Sequence, residues 1–261
     1  MKKVILFIVI TFSISWSFWG LQYLGQEGFL PEWVQAFGIL GLFGPFFSFL
    51  IISKKEEGSL KERFIKLFAK FPIWIAFFAL LSPMVISGLA YLIYTHFETG
   101  PIEPLGMTIS SFIPTITMIL FVGGPIEEFG WRGLLLPELR RRASFILVVL
   151  ILGIIHAVWH LPLHYLNGTV QSAIRIYEFI LITIAITVSY VFIFEYTKSL
   201  IPMILLHWSA NVSSALFPYY YNVEGRYALL VFTLFLDVFL IFIYYKKNKA
   251  MKIEANELAS D

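Results

Sequence analysis

The 261-residue chain contains no cysteine. That absence excludes disulfide frameworks, Cys-ligated zinc, iron–sulfur clusters and a cysteine nucleophile. Prenylation or palmitoylation of the chain itself is therefore not expected. Charge is scarce as well. Only 14% of residues are Asp, Glu, Lys or Arg, against about 25% in an ordinary soluble domain. The net charge of +2 gives no global attraction to nucleic acid, so none is expected as a partner.

Apolar residues are what the chain has in excess. They make up 59% of it, and the mean hydropathy is +0.81, which excludes a cytosolic enzyme. Runs of about 20 apolar residues read as membrane helices. Eight are found, over residues 4–23, 34–52, 72–95, 108–136, 144–166, 174–196, 200–216 and 227–245. All must be helical, because hydrocarbon offers no partner to an unpaired backbone group. The predicted fold is therefore all-α: one polytopic transmembrane domain over residues 1–245, with a mobile tail over 246–261. Lys2 and Lys3 before the first run have the form of a signal peptide. The run is long, however, and no Ala-x-Ala site follows it, so an uncleaved span is the better reading.

Sixteen of the nineteen Lys and Arg residues fall on one side of this eight-span path. They are Lys2 and Lys3, the group from Lys54 to Lys70, Arg140 to Arg142, Lys198, and Lys246 to Lys252. By the positive-inside rule both termini are expected to be cytoplasmic. Residues 59–71 place Leu60, Phe64, Leu67, Phe68 and Phe71 at helical spacing among Lys and Arg. That pattern predicts an amphipathic helix on the cytoplasmic surface, between the second and third spans.

Ionisable groups inside a membrane cost about 2.5–3.5 kcal/mol each on insertion scales, so clusters of them mark sites. The fourth span has Glu127, Glu128 and Arg132, the fifth His156, His160 and His164, and the seventh His207 with Asn211. Glu128 and Arg132, four apart with the acid first, can pair on one helix face. Glu127 points about 100° away and stays free for chemistry. Structural glue between helices is an equal reading of Glu127, Glu128 and Arg132 taken alone and the better one for His207 with Asn211, whereas three histidines together fit it less well.

Together the motifs resemble the CPBP family of intramembrane proteases, which includes type II CAAX-prenyl endopeptidases, Abi proteins and lysostaphin-resistance-protein-A-like proteins. The family pattern is Glu-Glu-x-x-x-Arg, then Phe-x-x-x-His, then His-x-x-x-Asn. It is matched by Glu127, Glu128 and Arg132, then His160, then His207 and Asn211. In one departure, His156 stands where the family has Phe, which leaves open whether His156 joins the site or packs beside it.

The resemblance implies peptide-bond hydrolysis in the membrane, with a protease core over about residues 108–216. Glu127 and His160 would position and deprotonate a water, and His207 and Asn211 would hold the oxyanion. Glu128 and Arg132 would brace the site. The family's naming as metalloproteases favours a divalent metal, with zinc suited to a tentative set of Glu127, His160 and His207. A metal-free carboxylate–histidine base uses the same residues. Helix counting puts Glu127 and His207 in the cytoplasmic half and His160 deeper, so a cavity opening to the cytoplasm is expected.

The implied partners are the lipid bilayer and a membrane-associated protein or peptide. Prenylated CAAX proteins would suit a eukaryote or archaeon, and leader peptides or bacteriocin-linked substrates a bacterium. The Lys-, Ile- and Phe-rich, Cys-free composition points to a bacterial plasma membrane. Two other functions compete: a non-catalytic scaffold or immunity partner, and a proton-relay transporter. The transporter would show inverted repeats, and none is visible.

Overall fold

The computed structural model describes residues 2–55, 59–99, 109–121 and 124–258, and no strand occurs among them. Helix α1 spans Lys2–Gln26, and the chain returns through a 3-10 helix, Glu32–Phe43, that continues as α2, Gly44–Lys54. Then come α3 (Leu60–Lys66), α4 (Ile73–Phe97) and α5 (Ile109–Phe121). The next rod joins α6 (Gly124–Gly130), a π-helical turn (Trp131–Leu135) and α7 (Leu136–Arg140). Helices α8 (Phe145–Trp159), α9 (Ile176–Thr197), α10 (Ile201–Leu216) and α11 (Val223–Leu258) complete the chain. Thr108 and Gly123, counted in the expected fourth span, lie outside the described residues.

Six helical rods are long and apolar enough to cross a membrane. The expected fifth and seventh spans correspond to α8 and α10, which have 15 and 16 residues, or about 22–24 Å. The outward faces are apolar. On α4, Phe77, Leu81, Val85, Leu89 and Leu92 recur at helical spacing and are all exposed. On α11, Phe235, Val238, Phe239 and Phe242 form a similar stripe. A water-soluble protein would bury such stripes, whereas lipid solvates them. The chain is an all-α polytopic membrane protein.

The return from α1 is wound tightly for a sequence reason. Gly38, Gly41 and Gly44 recur every third residue, and a 3-10 helix has three residues per turn, so they share one face. That face lies on α1: a Cβ at Gly38, Gly41 or Gly44 would fall within 2.5 Å of Gln22, Trp19 or Ser15. Small residues allow this approach, as they do between membrane helices generally.

Polar ties distinguish the two ends of the bundle. At one end Arg140 donates to Glu195 at 2.5 Å and to Tyr244 at 3.1 Å, and Lys3 meets Glu138 at 3.6 Å. This is where the Lys- and Arg-rich segments converge, and we call it the basic end. At the far end Arg226 donates to Glu178 at 2.6 Å, and the Gln26 side chain bonds the Asn167 backbone.

Two expectations change in detail. The amphipathic element is the seven-residue α3, capped by Ser59, which accepts from the Glu62 N–H at 3.1 Å. Its apolar side packs on the bundle, with the Phe64 ring 5.2 Å from Phe49 and 5.4 Å from Phe129. Residues 246–258, expected as tail, continue α11 as helix.

Candidate active site

Four helices supply the buried polar groups. Helix α6 brings Glu127 and Glu128, the π turn Arg132, α8 and its cap His156 and His160, and α10 His207 and Asn211. Helix α8 stops at Trp159 because Pro162 restricts the residue before it and cannot donate to the preceding turn. A 3-10 turn, Leu161–Tyr165, follows. The His stripe is therefore broken: His164 leaves the site, and its Nδ1 lies 3.1 Å from the Ile174 carbonyl.

Glu128 and Arg132 pair as their spacing predicts, at 2.8 Å with both side chains buried. The same carboxylate oxygen, Oε1, also meets His207 Nδ1 at 2.6 Å. Arg132 lies over the Tyr190 ring of α9, 3.6 Å from its centroid. Arg132, Glu128, His207 and Tyr190 thus form one brace across α6, α9 and α10. Sequence reading did not single out Tyr190. A tyrosine amid the apolar run of α9 was the available signal, because its hydroxyl is costly in hydrocarbon.

Glu127 faces another way and meets the α8 histidines. Ligand atoms of Glu127, His156 and His160 all lie within 4.8 Å of one another. His156 Nε2 is 3.7 Å from Glu127 Oε2, and both atoms are buried without a hydrogen-bond partner. His160 Nδ1 bonds the His156 carbonyl at 3.0 Å, so Nδ1 carries the proton and Nε2 offers its lone pair. Trp131 and Trp159, both fully buried, pack on the His156 ring at centroid distances of 4.9 and 5.7 Å. Phe179 meets His160 edge-on at 5.3 Å.

Two imidazoles and a carboxylate, with buried, unpartnered atoms on His156 and Glu127, match the donor set of a divalent metal such as zinc. The residues fit, but the set differs from the expected Glu127, His160 and His207. His156 takes the third place, because His207 is turned to Glu128 on the other face of α6. The departure from the family pattern at His156 thus falls inside the site.

Gly124 was missed as a site residue. A Cβ there would lie 2.5 Å from His207 Cδ2 and 2.8 Å from Asn211 Nδ2. Only glycine lets the start of α6 come this close to α10.

A cavity of about 350 Å³ adjoins the site, with Arg132, His156, His160, His207 and Asn211 in its wall. Glu127 does not line this wall, but its carboxylate lies within 4.8 Å of ligand atoms of the two α8 imidazoles, which do. From this floor the cavity runs towards the far end, past Thr183 of α9 and Ala215 of α10 to Gln171 and Tyr219. The lining thus extends away from the basic end. Burial pushes the Tyr219 phenol at the mouth above its ordinary pKa, and its hydroxyl lies 3.1 Å from that of Ser214.

Comparison with known proteins agrees with the motif pattern. Residues 108–213 match the family described as type II CAAX prenyl endopeptidase Rce1-like. The chain is also 29% identical over 181 residues to CAAX prenyl protease 2 of Methanococcus maripaludis, a match covering 65% of each protein. These matches and the Glu-Glu-x-x-x-Arg, His160 and His207-x-x-x-Asn211 motifs agree in making the chain similar to type II CAAX prenyl endopeptidase-like membrane proteins.

Proposed function

We propose that this protein is an intramembrane endopeptidase that cleaves a membrane-associated peptide or protein by attack of an activated water. The observation that carries the reading is the convergence of Glu127, His156 and His160, with the two imidazoles in the floor of a mid-bundle cavity. No serine stands in a nucleophile motif and cysteine is absent, so water is the available nucleophile. Similarity of residues 108–213 to the type II CAAX prenyl endopeptidase Rce1-like family supports the same reaction class.

In this reading Glu127 accepts the proton of the attacking water and later returns it to the leaving amine. His160, with its tautomer set by the His156 carbonyl, orients that water through Nε2. Asn211 donates from its amide to the carbonyl oxygen of the scissile bond as charge builds there. His207 has Nδ1 committed to Glu128, so Nε2 is the nitrogen left to face that oxygen. A divalent metal, zinc by its donor preferences, would be held by Glu127, His156 and His160 and would supply Lewis-acid polarisation and a more acidic water. The brace of Glu128, Arg132 and Tyr190 fixes His207. A bound peptide displaces loose water, which strengthens each of these interactions.

The test compares peptide termini in membranes of cells expressing wild-type protein or Glu127→Gln. New termini that appear only with the wild type are expected. Identical termini in both, with equal protein levels, would refute the enzymatic reading.

A further inference from the structure

The walls of the cavity say from which side a substrate arrives. On α9 the lining positions run from Phe179 to Tyr190, and none follows between there and Thr197. On α10 they run from His207 to Ala215, and none precedes His207. Between this floor and the basic end lie Leu135, Leu152, Val191 and Leu206, each at most 2% exposed. Six or seven residues of helix, about 9–10 Å, therefore form an apolar plug on that side. On the other side the cavity reaches Val170, Gln171 and Tyr219, in the connections that follow α8 and α10. By the order of the spans, sixteen of the nineteen Lys and Arg residues fall on the side of the basic end, a bias that marks the cytoplasmic face of a membrane protein.

We propose that substrate enters from the extracytoplasmic end. The reacting segment would then be an exported stretch of peptide, or one held in the outer half of the bilayer. Above Arg132 and the histidines of the floor, the lining side chains are uncharged. Thr183 and Thr187 already donate to backbone carbonyls at 2.7 Å, which leaves their methyl groups to the cavity. An uncharged, extended segment fits this wall, and a Lys- or Asp-bearing one would lose hydration without finding a partner. That the segment is cleaved rests on the proposed function; the side of entry does not.

The absence of cysteine makes the test direct. Thr183→Cys in the wall, Gln171→Cys at the mouth and Lys66→Cys at the basic end are each probed with a membrane-impermeant thiol reagent. Intact cells and inside-out vesicles are compared. Expected is labelling of positions 171 and 183 in intact cells, and of position 66 only in inside-out vesicles. Labelling of position 183 from the cytoplasmic side alone, or from neither side, overturns the proposal, as does labelling of position 66 in intact cells. Ala210→Cys on the facing helix gives the same reading if Thr183→Cys does not accumulate. Because labelling needs no turnover, an inactive but correctly labelled protein would count against the peptidase reading and leave the entry side standing.

Discussion

Replacing Glu128 by Gln keeps the shape of the side chain and removes the one charge shared by Arg132 and His207. Both partners meet the same oxygen, at 2.8 and 2.6 Å, and Glu128 and Arg132 are at most 1% exposed. The variant strands a guanidinium in a low-dielectric interior, which costs about 3–5 kcal/mol. Arg132→Met in the same chain removes the stranded charge and leaves an apolar group over the Tyr190 ring. The double variant is expected to recover most of the lost stability, with a coupling of about 2–3 kcal/mol in the cycle. Activity should not recover, because His207 has still lost the carboxylate that orients it. Thermal unfolding in detergent, followed by tryptophan fluorescence, gives the first quantity and peptide cleavage the second. A single variant as stable as wild type, or a double variant less stable than Glu128→Gln alone, would refute the account of the brace.

Other perturbations separate the parts of the site. Gly124→Ala forces a methyl against His207 and Asn211; it should cost about 1–3 kcal/mol and lower cleavage by about 10²-fold or more, measured on folded protein in proteoliposomes. His156→Phe, which puts the family's residue into this site, should weaken divalent-metal binding by about 10²-fold or more, read as metal per chain by elemental analysis. Tyr190→Leu removes the ring under Arg132 and should cost up to about 2 kcal/mol in thermal unfolding, whereas Tyr190→Phe should be close to neutral.

Much of this was legible in the chain because membranes make polarity expensive. The apolar runs had to be helices, and six helical rods are long enough to cross a membrane. The Glu128–Arg132 pair followed from spacing alone. Three features did not follow. The break after Trp159, set by Pro162, was not used to end the helix, so His164 stayed in a stripe it leaves. The division of partners between Glu127 and Glu128 depends on which helix lies on each face of α6, and spacing within one helix cannot report that. The direction of the cavity depends on where α9 and α10 pull apart, a property of packing between runs that look equally apolar. Gly38, Gly41 and Gly44 show the converse: a period of three was visible in the sequence, and it sets the tight return onto α1.

The most direct test of the site's chemistry is the cleavage rate of one defined peptide by purified protein in proteoliposomes, for wild type and Glu127→Gln. Loss of a positioned general base lowers such a rate by about 10²–10⁴-fold, and a drop of that size is the expected result, with folding unchanged. Equal rates would contradict the assignment of Glu127 as the group that activates water.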